Sequence, residues 1–343
     1  MSNTPKSIAR LITDRFPARA FSMAYGSGVF KQVIGEAAPS GPKPMIDLVF
    51  AVDDPRAWHA ENLERNASDY AAYFRALGSR RGGAAAAAVQ ERGGAEVFYH
   101  PAIHVGDGVV IKYGVISTET LAHDLDAWST LFVAGRLHKP TSVLEEWGPR
   151  EGAATRSALG FAALQRTNLA RAAAVASLLL PPSFSEHELF MAIANISYAG
   201  DARFLLGAEA PGKVKSIVDG SFAGFQELYR DPIAECAPFL ERAGDGELRR
   251  DASPAAVERM VLDGALPAAV RERIAPGADV AAQAAALAGL ERDGALSTEV
   301  LSALGAIVRA HSFGQQLKGV ASAGPGRAIA YGLAKLRKGG WSV

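Results

Sequence analysis

A strand-like run with a single embedded carboxylate, Pro44-Met45-Ile46-Asp47-Leu48-Val49-Phe50-Ala51-Val52, follows a glycine-serine turn, Ala24-Tyr25-Gly26-Ser27-Gly28-Val29-Phe30. Each feature limits what the other can be. A turn without bulky side chains lets backbone N–H groups approach a phosphate. An aspartate on a neighbouring strand can hold the divalent metal that such a phosphate brings with it. Together they suggest a site that handles a nucleoside triphosphate. Spacing narrows the class, because Lys31 stands where the third glycine of a dinucleotide fingerprint would fall and no GxxxxGK loop is present. For the glycines alone, the competing reading is a tight turn without a ligand.

The chain has 343 residues, more than a single domain usually holds, so two domains are expected. Hydrophobic residues at 49% and charged residues at 21% describe a folded protein. The 36 Lys and Arg balance the 36 Asp and Glu, which argues against broad electrostatic binding of nucleic acid. One cysteine, Cys236, excludes an intrachain disulfide and a cysteine zinc site, and a reducing compartment is expected. The richest apolar stretch, Ala172 to Leu180, ends at Pro181-Pro182, well short of the roughly eighteen residues of a spanning helix. The N-terminus has basic residues but no apolar signal core. A cytosolic protein with no cleaved leader is expected, and any membrane contact is peripheral.

Helical periodicity covers residues 6–17 through Ile8, Leu11, Ile12 and Phe16, and Pro17 closes it. The strand Met45–Val52 is broken by Asp53-Asp54-Pro55, with the proline suited to a first helical position. A helix is predicted from Arg56 to about Leu77, packing through Trp58, Leu63, Tyr70, Tyr73, Phe74 and Leu77. The alanine run Ala84–Ala88 predicts a short helix. Strands at Glu96–His100 and Val109–Ile116 flank Asp107-Gly108, a hairpin signal. Thr118–Leu137 reads as one helix with Thr118 as its N-cap. Beyond about Arg150 the pattern turns helical: Ala162–Leu180, then a helix to about Ser197 opened by the capping box Ser185…Glu188, then short segments across Gly244–Arg309. The coarse picture is a mixed α/β domain to about residue 140 and an all-helical half after it.

Nucleotidyltransferases of the polymerase-β type pair a Gly-Ser turn with a strand whose alternate acids bind two magnesium ions. Here only one acid is in place. With Asp47 as the first, Val49 fills the second position; with Asp47 as the second, Met45 fills the first. Asp53 shares Asp47's parity but lies six residues along, roughly 20 Å of strand, so Asp53-Asp54 read better as helix capping. Lys112 sits mid-strand between apolar residues, where an ammonium costs desolvation unless it meets an anion. It either grips triphosphate oxygens or stands in solvent on an edge strand. His59, Asn62 and Lys139 are candidates of the same kind, each read alone as a surface or helix-packing residue. Asp201 and Arg203 follow a break at Gly200 and either face a cleft or cap two helices. Near the C-terminus, Lys318, Arg327, Lys335, Arg337 and Lys338 alternate with Leu317, Val320, Ile329, Leu333 and Leu336, ahead of Trp341. That pattern fits an amphipathic segment on an anionic membrane surface or an ordinary solvated helix face.

The runs AYGSGVF, MIDLVFAVDDP with WHAENL, KYGVIST, AGRLHKP, LPPSFSEHELF, ISYAGDAR and QQLKGVASAG, in this order, resemble the mitochondrial-type phosphatidate cytidylyltransferase family from about residue 20 to residue 335. The resemblance implies an α+β protein: a polymerase-β-like nucleotidyltransferase domain with a mixed sheet (1–145), a mostly helical, winged-helix-like domain (146–310) and a C-terminal, membrane-associating helical segment (311–343). It implies the reaction of CTP with phosphatidic acid to give CDP-diacylglycerol and pyrophosphate, with Mg2+ as cofactor. Carried onto this chain, Tyr25, Gly26, Ser27 and Gly28 hold CTP, Asp47 holds the metal, Lys112 assists the triphosphate, and Asp201 and Arg203 face the site. CTP, phosphatidic acid and an anionic membrane are the implied partners, and nucleic acid is not. Abundant Ala, Arg and Gly suggest a bacterial version, peripheral on the cytoplasmic face of the inner membrane. From the residues themselves, a nucleotidyltransferase acting on a soluble substrate and a noncatalytic assembly protein on the same fold stay open.

Overall fold

The computed structural model describes residues 5–26, 45–105, 109–151, 156–200, 212–236, 238–244 and 246–323. In chain order the elements begin α1 (Pro5–Arg15), β1 (Phe21–Tyr25), β2 (Ile46–Val52), α2 (Pro55–Arg65), α3 (Ala72–Ala76), α4 (Gly78–Glu91), β3 (Phe98–His104) and β4 (Val110–Ser117). There follow α5 (Thr118–Ala127), α6 (Ala134–Leu137), β5 (Ser142–Glu145), α7 (Phe161–Leu178), β6 (Ser183–Ser185), α8 (Glu186–Ile196), α9 (Lys213–Asp219) and α10 (Phe222–Glu235). The described elements close with β7 (Leu240–Gly244), β8 (Glu247–Arg250), α11 (Pro254–Leu262), α12 (Ala268–Ile274), α13 (Val280–Arg292) and α14 (Leu296–Ala323). The fold is α+β. Two compact units are present: the described residues of the first fall within 1–121, 141–161 and 311–343, those of the second within 122–140 and 162–310.

A five-stranded mixed sheet of order β3-β4-β2-β1-β5 organises the first unit. Strand β2 is central, antiparallel to β1 and parallel to β4. A parallel neighbour requires a crossover connection, which α2, α3, α4 and β3 supply. Being covered on both faces, β2 reads as a nearly continuous apolar run, buried everywhere except at half-buried Asp47. Leu48, Phe50 and Val52 pack with Ile111, Tyr113 and Val115 against Ile8, Ile12 and Phe16 of α1. Burying a ring such as Phe50, which has no exposure, contributes about 2–3 kcal/mol. The alternate side chains Asp47 and Lys112 therefore belong to the other face. The expected hairpin forms by pairing of β3 with β4, and Asp107-Gly108 lies outside the described residues.

The helix predicted over 56–77 is corrected to three pieces. Asn66 leaves the helical region (φ −134°, ψ 47°), and its side chain donates to Arg15 O at 3.1 Å and Asn62 Oδ1 at 2.8 Å. The break turns Asp69 into the core, where it accepts Arg15 Nη2 at 2.7 and 2.9 Å and the Tyr113 hydroxyl at 2.9 Å. Trp58, Leu63, Tyr70 and Phe74 are buried as expected, but Tyr73 and Leu77 are exposed. Asp54 caps the helix, its Oδ1 accepting the Arg56 and Ala57 amides, and Pro55 opens α2.

The helix predicted over 118–137 also breaks, at Ala127. Buried Asp124 accepts hydrogen bonds from the amides of Thr130, Leu131, Val133 and Ala134 and from the Thr130 hydroxyl. Capturing those donors requires the chain to fold back, and Trp128 and Leu131 adopt φ of 59° and 55° to do so. The N-cap shifts by one residue, because Ser117 Oγ accepts the Thr120 amide at 2.9 Å while Thr118 is already helical.

The half predicted as all-helical contains a three-stranded antiparallel sheet of order β6-β8-β7, with Phe184 opposite Leu248. Three residues of β6 between a proline pair and a capping box leave too short a pattern to show strand alternation. The capping box itself is present, and α7 ends at Leu178 ahead of the prolines. Phe190, Phe225 and Tyr229 stack in this unit's core, and the Tyr229 hydroxyl donates to His138 O at 2.9 Å.

In the first unit, α14 presents a polar face inward from His311 on. Gln315 accepts the Ala95 amide at 3.1 Å and donates to Val97 O at 2.7 Å, while Lys318 Nζ donates to Gln90 O and Gly93 O, each at 2.6 Å. Burial pulls the Lys318 ammonium down to about 8, with Glu96 opposing. Lys318 is thus a buried clamp, which corrects its place in the predicted membrane-facing basic series. Phe313 and Leu317 are the exposed large hydrophobics of this stretch, at 68% and 66%. Among the described residues no helix is long and apolar enough to cross a membrane.

Candidate active site

Cross-strand register brings the first-unit candidates together. Tyr25 of β1 lies opposite Asp47 of β2, and Asp47 lies opposite Lys112 of β4. Side chains directly opposite on one sheet face stand close enough to interact, and Lys112 Nζ is 3.7 Å from Asp47 Oδ1. Their side chains keep 19% and 25% exposure, so both charged groups can be reached from solvent. A partly solvated pair at this distance is weak, which leaves each group able to exchange its partner for a ligand.

Gly26 follows β1 with φ +85°, a left-handed conformation that suits glycine. A Cβ built there would stand 3.2 Å from Asp47 Oδ2. The space a side chain at the start of the glycine turn would enter is therefore bordered by the carboxylate. Ser27, Gly28, Asp201 and Arg203 lie outside the described residues.

Two tyrosines frame the pair. The Lys112 ammonium lies over the Tyr99 ring, 4.3 Å from its centroid. Tyr99 in β3 is opposite Gly114 in β4. The hydroxyls of Tyr25 and Tyr99 approach to 3.4 Å although β4 and β2 separate their strands, so the two rings reach toward each other across the Lys112 and Asp47 positions. Tyr99 carried no signal in the sequence beyond its place in an aromatic strand.

The fit of a metal rests on Asp47. Val49 is fully buried and no second acid stands on this face of β2. Asp53, at the far end of β2, is held by the Thr118 hydroxyl at 2.8 Å and by Arg150 at 2.8 Å, in keeping with a structural rather than metal-binding reading. Among the described residues no cluster of three metal-ligating side chains exists. One reachable carboxylate suits Mg2+, which typically takes one or two carboxylates and completes its shell with substrate phosphates and water.

His59 and Asn62 are structural. Asn62 donates to the hydroxyls of Tyr70 and Tyr113, and His59 bridges Tyr70 and Gln90 at 2.8 and 3.0 Å. Burial pulls the His59 imidazole down to about 4, so it stays neutral. Lys139 belongs to the second unit. Its ammonium donates to Gly135 O at 2.7 Å and Ser197 Oγ at 2.8 Å and sits 5.0 Å from the centre of the Tyr198 ring. Burial, then the Arg136 and Lys213 charges, bring it down to about 7. Gly135 permits the contact, since a Cβ there would meet Ser197 Cβ at 2.4 Å.

A family profile described as "Phosphatidate cytidylyltransferase, mitochondrial" matches residues 9–338. The chain belongs to this family. The Xenopus laevis member is 38% identical over 335 residues, covering 96% of this chain and 93% of the relative. The Mus musculus member is 37% identical over 334 residues with the same shares. The Schizosaccharomyces pombe member is 31% identical over 334 residues, covering 93% of this chain and 79% of its own. All three carry the name mitochondrial phosphatidate cytidylyltransferase. The family is one of nucleotidyltransferase enzymes, and the mixed sheet with Asp47 on its central strand accords with that class.

Proposed function

We propose that this protein is a magnesium-dependent phosphatidate cytidylyltransferase working at a membrane surface. The observation that carries the reading is the pairing of the Asp47 carboxylate with Lys112, next to the side-chain space that Gly26 leaves free, in a chain whose relatives bear that enzyme's name. A phosphate oxygen of phosphatidic acid attacks the α-phosphorus of CTP. The bond from the α-phosphorus to the bridging oxygen breaks, releasing pyrophosphate and leaving CDP-diacylglycerol. Phosphatidic acid is already anionic, so no strong general base is needed.

Lys112 offsets negative charge on the triphosphate oxygens, where a fixed cation is most effective. Tyr25, Gly26, Ser27 and Gly28 bind the CTP phosphates. Asp47 would hold Mg2+, which when bound supplies further compensation of phosphate charge. Exposed Phe313 and Leu317, four residues apart on α14, support attachment to an anionic bilayer together with the basic sequence that follows. Nucleic acid is not a substrate in this reading, in keeping with the formal net charge of zero.

The test is CTP-dependent formation of CDP-diacylglycerol and pyrophosphate on phosphatidic-acid vesicles, with and without Mg2+. Wild type is expected to be active and Asp47→Asn to lose at least about a hundredfold, since an amide cannot supply the anionic oxygen Mg2+ prefers. Equal activity of the two proteins, or full activity on a soluble phosphomonoester without lipid, would defeat the proposal.

A further inference from the structure

Lys112 is a long, flexible side chain, and its 3.7 Å approach to Asp47 is too loose to fix it. Its second contact is an aromatic face. Lys112 Nζ stands 4.3 Å from the centroid of Tyr99, within the range at which a ring quadrupole attracts an ammonium. We propose that Tyr99 is a positioning residue that holds the Lys112 ammonium at the triphosphate site, and that Gly114 is the slot that lets it do so.

The geometry of the sheet makes this specific. Tyr99 is the register partner of Gly114, and Lys112 precedes Gly114 by two residues on the same face of β4. With any other residue at 114, a Cβ would stand 2.6 Å from Tyr99 Cε1, 3.0 Å from Tyr99 Cζ and 2.8 Å from Val97 Cγ1. Contacts under about 3 Å cannot be tolerated without displacement, so the ring packs against Gly114 only because that position lacks a side chain. Glycine in a strand interior costs stability, and close approach of another group is the usual reason to keep one. Gly114 needs no left-handed conformation; the crowding by Tyr99 and Val97 is the reason here. The same end of the ring is steadied by the contact of its hydroxyl, carried on Cζ, with the Tyr25 hydroxyl at 3.4 Å. Buried at 7% exposure, Tyr99 acts through Lys112 rather than on solvent-borne substrate.

The inference rests on the proposed role of Lys112 in binding CTP, and one arm of its test does not need that role. Amine acylation of Lys112 in the full-length protein, followed by mass spectrometry, reports how tightly the ammonium is held whether or not the enzyme turns over. Tyr99→Leu, which removes the face, is expected to speed Lys112 labelling several-fold. Tyr99→Phe, which keeps the face, is expected to stay close to wild type. In the CTP assay the Leu variant should lose about tenfold in kcat/KM for CTP, mainly through KM, with Phe recovering most of it, a size in keeping with a cation–π contact. Tyr99→Met fills similar space without a π face and serves as the second variant should Leu fail to fold. Gly114→Ala should reproduce the labelling change of Leu by pushing the ring aside. Unchanged labelling in folded Leu and Met variants, or a Phe variant as impaired as Leu, overturns the proposal. Faster Lys112 labelling in the Leu and Met variants, together with a wild type that makes no CDP-diacylglycerol, leaves Tyr99 positioning Lys112 and defeats the cytidylyltransferase reading instead.

Discussion

Gly26 leaves free the space beside Asp47: the glycine has φ +85°, and a methyl group on it would lie 3.2 Å from the Asp47 carboxylate oxygen. The metal-binding candidate therefore depends on a residue whose side chain is absent. Gly26→Ala carries two costs, the left-handed backbone at about 1–2 kcal/mol and the crowding of Oδ2. A loss of about tenfold in kcat/KM for CTP is expected from a displacement worth that energy. Steady-state kinetics together with a thermal melt check it; a wild-type kcat/KM in a folded variant would refute the importance of that space.

Asp124 organises the segment that ends at Lys139. Its two oxygens accept four backbone amides and one hydroxyl between Thr130 and Ala134, all buried. Asp124→Ala strands those donors, and the expected destabilisation is about 3 kcal/mol or more. Urea unfolding of the variant against wild type measures it, and a change under about 1 kcal/mol would mean the donors find water instead.

Lys139 titrates near 7 in the folded protein, against an ordinary lysine value of 10.5. Between those values the unfolded chain binds more protons than the folded one, so Lys139 makes stability rise with pH across that window. Below about 7 both states are protonated, and the cost of burying the cation is fully present. The Tm of wild type minus that of Lys139→Met should therefore increase from about pH 7 to about pH 10. A difference that stays flat or falls over that range contradicts the buried cation.

His59 and Lys318 show how far side-chain roles were hidden. Each is a polar residue that sequence reading leaves at a surface or in a basic series, yet each is buried and bound to groups distant in the chain, His59 to Gln90 and Lys318 to Gln90 and Gly93 carbonyls. No local pattern encodes such partners. The breaks at Asn66 and after Ala127 have the same origin: helical periodicity continues through both, but Asn66 and Asp124 spend their hydrogen bonds on tertiary neighbours. Turn and cap chemistry is different, because Ser185, Asp54 and Pro55 act on amides within three residues, and these were legible.

Sequence alone determined the parts whose physics is local or carried by long motifs: the apolar strand around Asp47, the capping box at Ser185, the stop at Pro181-Pro182, and the family. Asp47 was visible because a lone carboxylate in an apolar strand is costly without a purpose. Only the tertiary structure decided that Lys112 is its register partner, that Gly26 leaves the space beside it free, and that Tyr99 lies under the ammonium through the space left by Gly114. Those relations arise from strand register across residues far apart in the chain, and register is set by how the whole sheet buries its two faces.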